Sequence, residues 1–144
     1  MTYTQRAALR QGFSLFEIII AITIVAVMMA VVVPGIQQWR GRAKKRATES
    51  ALRTIAMNIE QYKTDTGQYP NGLHDLLYKP NEDKVARRWE GPYLNKESDL
   101  EDGWKQEVVY EKTPGGEHPY ELYSWGPNGE GSPEEEWINI WEIS

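Results

Sequence analysis

Ile18 to Val33 is an unbroken apolar run whose only polar side chain is the Thr23 hydroxyl. Counted from Phe13 the segment has 21 residues, enough to cross a hydrocarbon core of about 30 Å as a helix. Pro34-Gly35 is the first interruption and predicts a kink or local unwinding near residues 30–35. Beyond it, Arg42 to Lys63 reads as an amphipathic helix. Leu52, Ile55, Ile59 and Tyr62 recur at helical spacing, Ala47, Ala51 and Ala56 flank the stripe, and Arg53, Asn58, Glu60, Gln61 and Lys63 take the other side. Thr66-Gly67 predicts the stop, because glycine accepts the left-handed cap conformation. Joined, these pieces make roughly 52 residues, about 78 Å if straight at 1.5 Å per residue. The residues that remain are too few to cover such a rod, so its first half must be buried in lipid or in copies of itself.

From Gly67 the pattern changes. Gly67-Gln68-Tyr69-Pro70-Asn71-Gly72 is a loop by its turn residues, and Leu73 to Tyr78 is a short helix that ends before Pro80. Strands are expected at Glu107–Glu111, Tyr120–Trp125 and Trp137–Ile143, which are rich in β-branched and aromatic residues. Thr113-Pro114-Gly115-Gly116 joins the first two as a hairpin-like turn. The fold class is therefore α+β: a long N-terminal helix, transmembrane in its first half, packed on a small antiparallel sheet.

Composition narrows this picture. A chain of 144 residues leaves room for one small domain beyond the apolar segment. It has no cysteine, so an exported domain of this size is held by its core, by a metal ion or by its neighbours. The net charge of −5 hides an asymmetry. Arg40, Arg42, Lys44, Lys45 and Arg46 follow the apolar run without an acid among them, where they can meet anionic headgroups or the acidic face of a neighbour. Residues 47–144 carry 20 acids against nine bases, a net of −11. So acidic a body argues against nucleic acid as a partner.

The N-terminal junction carries the most specific signal. A polar leader with Arg6 and Arg10 ends at Gly12, and Phe13-Ser14-Leu15-Phe16-Glu17 opens the apolar run with one carboxylate at its head. A charge there costs roughly 2.5 kcal/mol or more unless it finds a partner. A secretory signal peptide has a shorter apolar stretch followed by a small-x-small cleavage site, whereas this run ends in Val-Val-Val-Pro-Gly. The junction resembles the class III signal of type IV pilins and pseudopilins. The resemblance implies cleavage between Gly12 and Phe13 by a prepilin peptidase, N-methylation of Phe13, and pairing of Glu17 with the terminal amine of a neighbouring subunit. Two basic residues before the span and five after it favour the opposite orientation; the cleavage motif is the more specific signal and is followed.

Later blocks sharpen the resemblance to the major pseudopilins of type II secretion systems. Tyr62-Lys63-Thr64-Asp65-Thr66-Gly67-Gln68-Tyr69-Pro70 resembles the family's Tyr-Lys-x-Asp-x-Gly-x-Tyr-Pro, and Gly72-Leu73 through Leu77 to Lys79-Pro80 its Gly-Leu-x-x-Leu-…-Lys-Pro. Gly91-Pro92-Tyr93-Leu94 resembles Gly-Pro-Tyr-Ile, and Asp102-Gly103-Trp104 stands where the family has Asp-Pro-Trp-Gly. Tyr123-Ser124-Trp125-Gly126-Pro127-Asn128-Gly129 stands for Tyr-Ser-Leu-Gly-Ala-Asp-Gly. That last block opens the family's calcium loop, so the resemblance implies a calcium ion held by the Trp125 carbonyl, Asn128, Glu134 and Glu135, close to Glu136. Asn128 replaces an aspartate there, which lowers the site's charge and its affinity. The alternative is a solvated acidic loop without an ion, held by hydrogen bonds and by Trp137 or Trp141 packing.

The resemblance also implies an organisation and a role. Residues 1–12 are a leader removed on maturation, 13–34 the transmembrane helix, 35–66 the amphipathic half of the long helix, and 67–144 a periplasmic globular domain. The mature chain is expected to be a non-enzymatic subunit, anchored by one pass in the inner membrane, that polymerises with itself into a periplasmic pseudopilus. The partners implied are minor pseudopilins, an inner-membrane assembly platform, the prepilin peptidase and, indirectly, a secretin channel. A surface type IV pilin for adhesion or motility, and a membrane-anchored periplasmic binding module, are the alternatives. The two histidines, His74 and His118, sit in no metal-ligand or nucleophile spacing. The six tryptophans are explained by aromatic strands over a small core, with Trp89 the best candidate for an exposed contact.

Overall fold

The computed structural model describes residues 12–143, with side chains described throughout except at residues 31–38. The predicted leader, up to Gln11, lies outside the described residues. Contacts divide the chain into two compact units, one ending at Trp39 and the other Arg40–Ser144.

Helix α1 is Leu15–Thr66, 52 residues. It continues through Pro34 and Gly35, so the local unwinding expected there is not seen. Proline removes a single N–H from the ladder, and the helix carries on past it. Side chains from Leu15 to Met29 are largely exposed, with Phe16 at 71 % and Ile22 at 61 %. Among the described residues no helix is long and apolar enough to cross a membrane. The span expected over 13–34 extends into residues 31–38, whose side chains lie outside the described set.

In the second unit the predicted stripe is the spine of the core. Leu52, Ile55, Ile59 and Tyr62 are essentially inaccessible and cluster with Leu73, Leu76, Val108, Tyr120, Leu122 and Ile138, among others. Ala51 and Ala56 are half-buried at its margin, while Ala47 is exposed and Thr48 is the buried residue at that level instead. The helix ends as the sequence predicts: Gly67 has φ +86° and its N–H donates to the Lys63 carbonyl at 2.8 Å.

The sheet has three antiparallel strands in the order β1 (Val109–Lys112), β2 (Tyr120–Ser124), β3 (Ile138–Asn139). Val109 faces Tyr123 and Lys112 faces Tyr120, while Ser124 faces Ile138. Alternation along β2 turns Tyr120, Leu122 and Ser124 inward. The β1–β2 turn closes where expected, with the Thr113 carbonyl accepting from Gly116 N–H at 3.0 Å.

Three expectations are corrected. The first strand begins two residues later than Glu107 and runs one residue further. The third, expected over Trp137–Ile143, pairs over only two residues and then turns into a 3-10 helix at Ile140–Glu142. Asn139 causes the change, because its side-chain oxygen accepts from the Trp141 N–H and caps the turn. The helix at Leu73–Tyr78 is a 3-10 segment limited to Leu73–Leu76. Short segments outside the expectation are α2 (Asp83–Ala86) and 3-10 turns at Glu97–Leu100 and Glu134–Glu136.

Candidate functional site

Gly12 and Phe13 stand ahead of α1 as exposed, non-helical backbone, and Phe13 is 78 % accessible. Among the described residues, chain neighbours aside, no atom lies within 4 Å of the place of a Gly12 side chain. Ser14 starts the helix: its Oγ accepts from Phe16 N–H at 3.3 Å and its carbonyl from Ile18 N–H at 3.2 Å. Glu17 therefore lies in the first turn, where unpaired N–H groups favour a negative charge. This local role was missed at the sequence level, although Ser-x-x-Glu ahead of an apolar run was its signal.

In the globular unit the turn after α1 is tied to both the helix and the sheet. Lys63 Nζ donates to the Tyr69 hydroxyl at 2.7 Å and lies 4.3 Å from that ring's centroid. Asp65 accepts from the Tyr93 hydroxyl at 2.9 Å, and the Pro70 carbonyl from the Tyr110 hydroxyl at 2.8 Å. Burial pushes the Tyr62 and Tyr120 phenols up to about 12 and Tyr110 higher still. Trp89 is not the exposed contact the sequence suggests. It packs half-buried against the core and donates its indole N–H to the Asp75 carbonyl at 2.8 Å.

Asp102, 5 % exposed, is a junction that sequence reasoning missed. Its Oδ1 accepts from Trp104 N–H at 2.8 Å and Gln106 N–H at 3.0 Å, and its Oδ2 from Ser124 Oγ at 2.6 Å. Ser124 Oγ in turn accepts from Gly126 N–H at 3.0 Å. Next to it, Gly103 N–H donates to Thr48 Oγ1 at 2.9 Å, and Thr48 donates to the Lys44 carbonyl. A Cβ at Gly103 would strike the Lys44 carbonyl. One carboxylate thus joins the loop before β1 to the end of β2, and the adjoining glycine seats that loop on α1. The departure from Asp-Pro-Trp-Gly was visible in the sequence, but its partner Thr48 carried no signal.

The loop after β2 holds the residues expected to bind calcium. The Trp125 carbonyl accepts from Ser132 Oγ at 2.5 Å. Asn128 Nδ2 donates to Glu136 Oε2 at 2.6 Å, and Glu134 and Glu135 are exposed. Trp137 stacks on Tyr123 at 4.5 Å and meets Trp125 edge-on at 4.8 Å.

The family model described as "Type II secretion system (T2SS), protein G" matches residues 36–142, and that of the "Prokaryotic N-terminal methylation motif" matches residues 8–33. The chain belongs to the type II secretion protein G family. It is 32 % identical to the type II secretion system core protein G of Xanthomonas campestris over 129 residues, covering 90 % of this chain and 87 % of that one. Against the core protein G of Pseudomonas aeruginosa the identity is 30 % over 142 residues, 92 % and 96 % of the two chains. The fold is similar to the crystal structure of the major pseudopilin from the type 2 secretion system of enterohaemorrhagic Escherichia coli. The TM-score is 0.59 at 24 % identity, over 71 % of this chain and 90 % of that one.

Within this protein G chain the proposed calcium donors do not fit the ion. Calcium wants six to eight oxygens, several from carboxylates. Asn128 turns its nitrogen into the loop, the Trp125 carbonyl already accepts a hydroxyl, and the two glutamates are solvated. Among the described residues no three acidic or histidine side chains group so as to hold a metal ion.

Proposed function

We propose that the mature chain is a structural, non-enzymatic subunit of a periplasmic pseudopilus, polymerising to drive export of folded proteins across the outer membrane. The observation that carries this reading is the bare apolar surface of Phe13 and of the first half of α1. Phe13, Phe16, Ile22, Val27 and Met28 are each more than 60 % exposed on a chain that belongs to the protein G family. Leaving so much apolar surface in water is costly at about 25 cal/mol per Å². Lipid covers it before assembly and the same helix of other copies covers it afterwards. The subunit waits as a single-pass protein of the inner membrane with residues 40–144 on the periplasmic side. Assembly then engages minor pseudopilins, an inner-membrane platform and, at a distance, the secretin channel.

Processing comes first. Prepilin peptidase cuts between Gly12 and Phe13, where exposed backbone without a side chain at Gly12 lets the enzyme approach closely, and Phe13 is N-methylated. Co-expression with a prepilin peptidase and the assembly platform, followed by N-terminal sequencing and electron microscopy of sheared material, tests both steps. The expected outcome is a chain that begins at methylated Phe13 and is recovered in filaments. An N-terminus at Met1, or one beyond Val33, would remove the reading.

A further inference from the structure

We propose that the loop from Ser124 to Trp137 is closed by its own side chains in place of a cation, so that β3 docks on the sheet without calcium. Three rings form the closure. Tyr123, Trp125 and Trp137 are in mutual contact, with Trp137 lying flat on Tyr123 at 4.5 Å and 6° and Trp125 edge-on to both. Trp137 immediately precedes β3, so seating its ring fixes where that strand begins.

Hydrogen bonds complete what the rings begin. Trp137 Nε1 donates to the Ser132 carbonyl at 2.9 Å, and Ser132 Oγ to the Trp125 carbonyl, which links the Trp137 indole to the Trp125 backbone through one serine. Asn128 Nδ2 donates to Glu136 Oε2 at 2.6 Å across the mouth of the loop. Gly126, at φ +78°, brings its backbone so close to the Glu136 carbonyl that a Cβ would strike it. The amide nitrogen of Asn128 therefore faces the Glu136 carboxylate, where it does what a cation in this loop would do for that charge. A cation would also have to compete with Ser132 for the Trp125 carbonyl. The remaining acids, Glu130, Glu134 and Glu135, are exposed, where water and salt screen their repulsion and no counter-ion is required.

The mature chain in detergent micelles, stripped of metal, is melted by circular dichroism in millimolar calcium and in chelator, and titrated with calcium by calorimetry. The closure predicts the same melting temperature in both and no binding heat. Trp137→Ala should melt several degrees lower by the same amount in both conditions. Should that variant not fold, Asn128→Asp serves instead: two carboxylates then face each other, and it should melt below the wild type in chelator. A wild-type chain stabilised by several degrees in calcium, with the gain lost in Glu135→Ala, would overturn the proposal. So would Asn128→Asp melting like the wild type in chelator. Neither readout depends on filament formation, so failure here is distinct from failure of the pseudopilus reading.

Discussion

Gly103 shows how much one hydrogen atom in place of a methyl decides. Its amide reaches Thr48 on α1 at 2.9 Å only because nothing stands between its Cα and the Lys44 carbonyl. Gly103→Ala must push the loop away from the helix. That stretches the Thr48 bond and strains the neighbouring Asp102, whose carboxylate serves two backbone amides and Ser124. Overpacking of this kind costs about 1–3 kcal/mol, so the melting temperature should fall by roughly 4 °C or more. A variant that melts with the wild type would show that the loop moves freely. Thr48 could not be found in the sequence, because a threonine on a helix face looks the same whether it meets water or a distant loop. Asp102 and Gly103 were legible as a motif but not as a joint. The N-terminal junction, by contrast, was legible as a motif, and the methylation-motif family model matches residues 8–33.

Among the elements, α1 was the most legible because period and cap agree: Leu52, Ile55, Ile59 and Tyr62 all turn inward and Gly67 stops the helix. The third strand was overread, since aromatic and β-branched composition persists past Asn139 while the backbone obeys the asparagine cap. Four-residue turns such as Asp83–Ala86 are too short to show any period. The element-level consequence worth testing is the tyrosine layer between helix and sheet. Tyr62 and Tyr120 are nearly inaccessible, and burial raises both phenols to about 12 from the ordinary 10. A raised phenol pKa means that the neutral form is the one favoured by folding. Its stabilisation is complete below the unfolded value near 10 and is lost as pH climbs through the folded value near 12. The urea midpoint should therefore stay level up to about pH 10 and fall steeply above it. Tyr120→Phe should make the fall shallower, and an unchanged slope would remove that tyrosine from the effect.

For the whole molecule, the two halves of the chain pose opposite physical problems. Residues 40–144 bury a core of their own, whereas the helix from Leu15 to Met29 presents its side chains to whatever surrounds it. Glu17 is the one charge on that bare surface. Within a single chain it gains only the modest help of the helix N-terminus, about 0.3–1 kcal/mol. That falls short of the cost of a carboxylate in hydrocarbon, roughly 2.5 kcal/mol or more, so in the pseudopilus proposed above Glu17 would take its remaining partner from another subunit. The amine that the proposed cleavage would free at Phe13 has the right charge and lies just ahead of the helix that carries Glu17. Glu17→Ala should thus leave processing, and the far-ultraviolet spectrum and melting of the globular part, unchanged while filaments become sparse or disordered. Glu17→Gln separates the charge from the shape: it keeps the side chain's size and should fail in the same way. Filaments of normal number and order from both variants, counted by electron microscopy against the wild type, would show that the carboxylate serves only to start the helix.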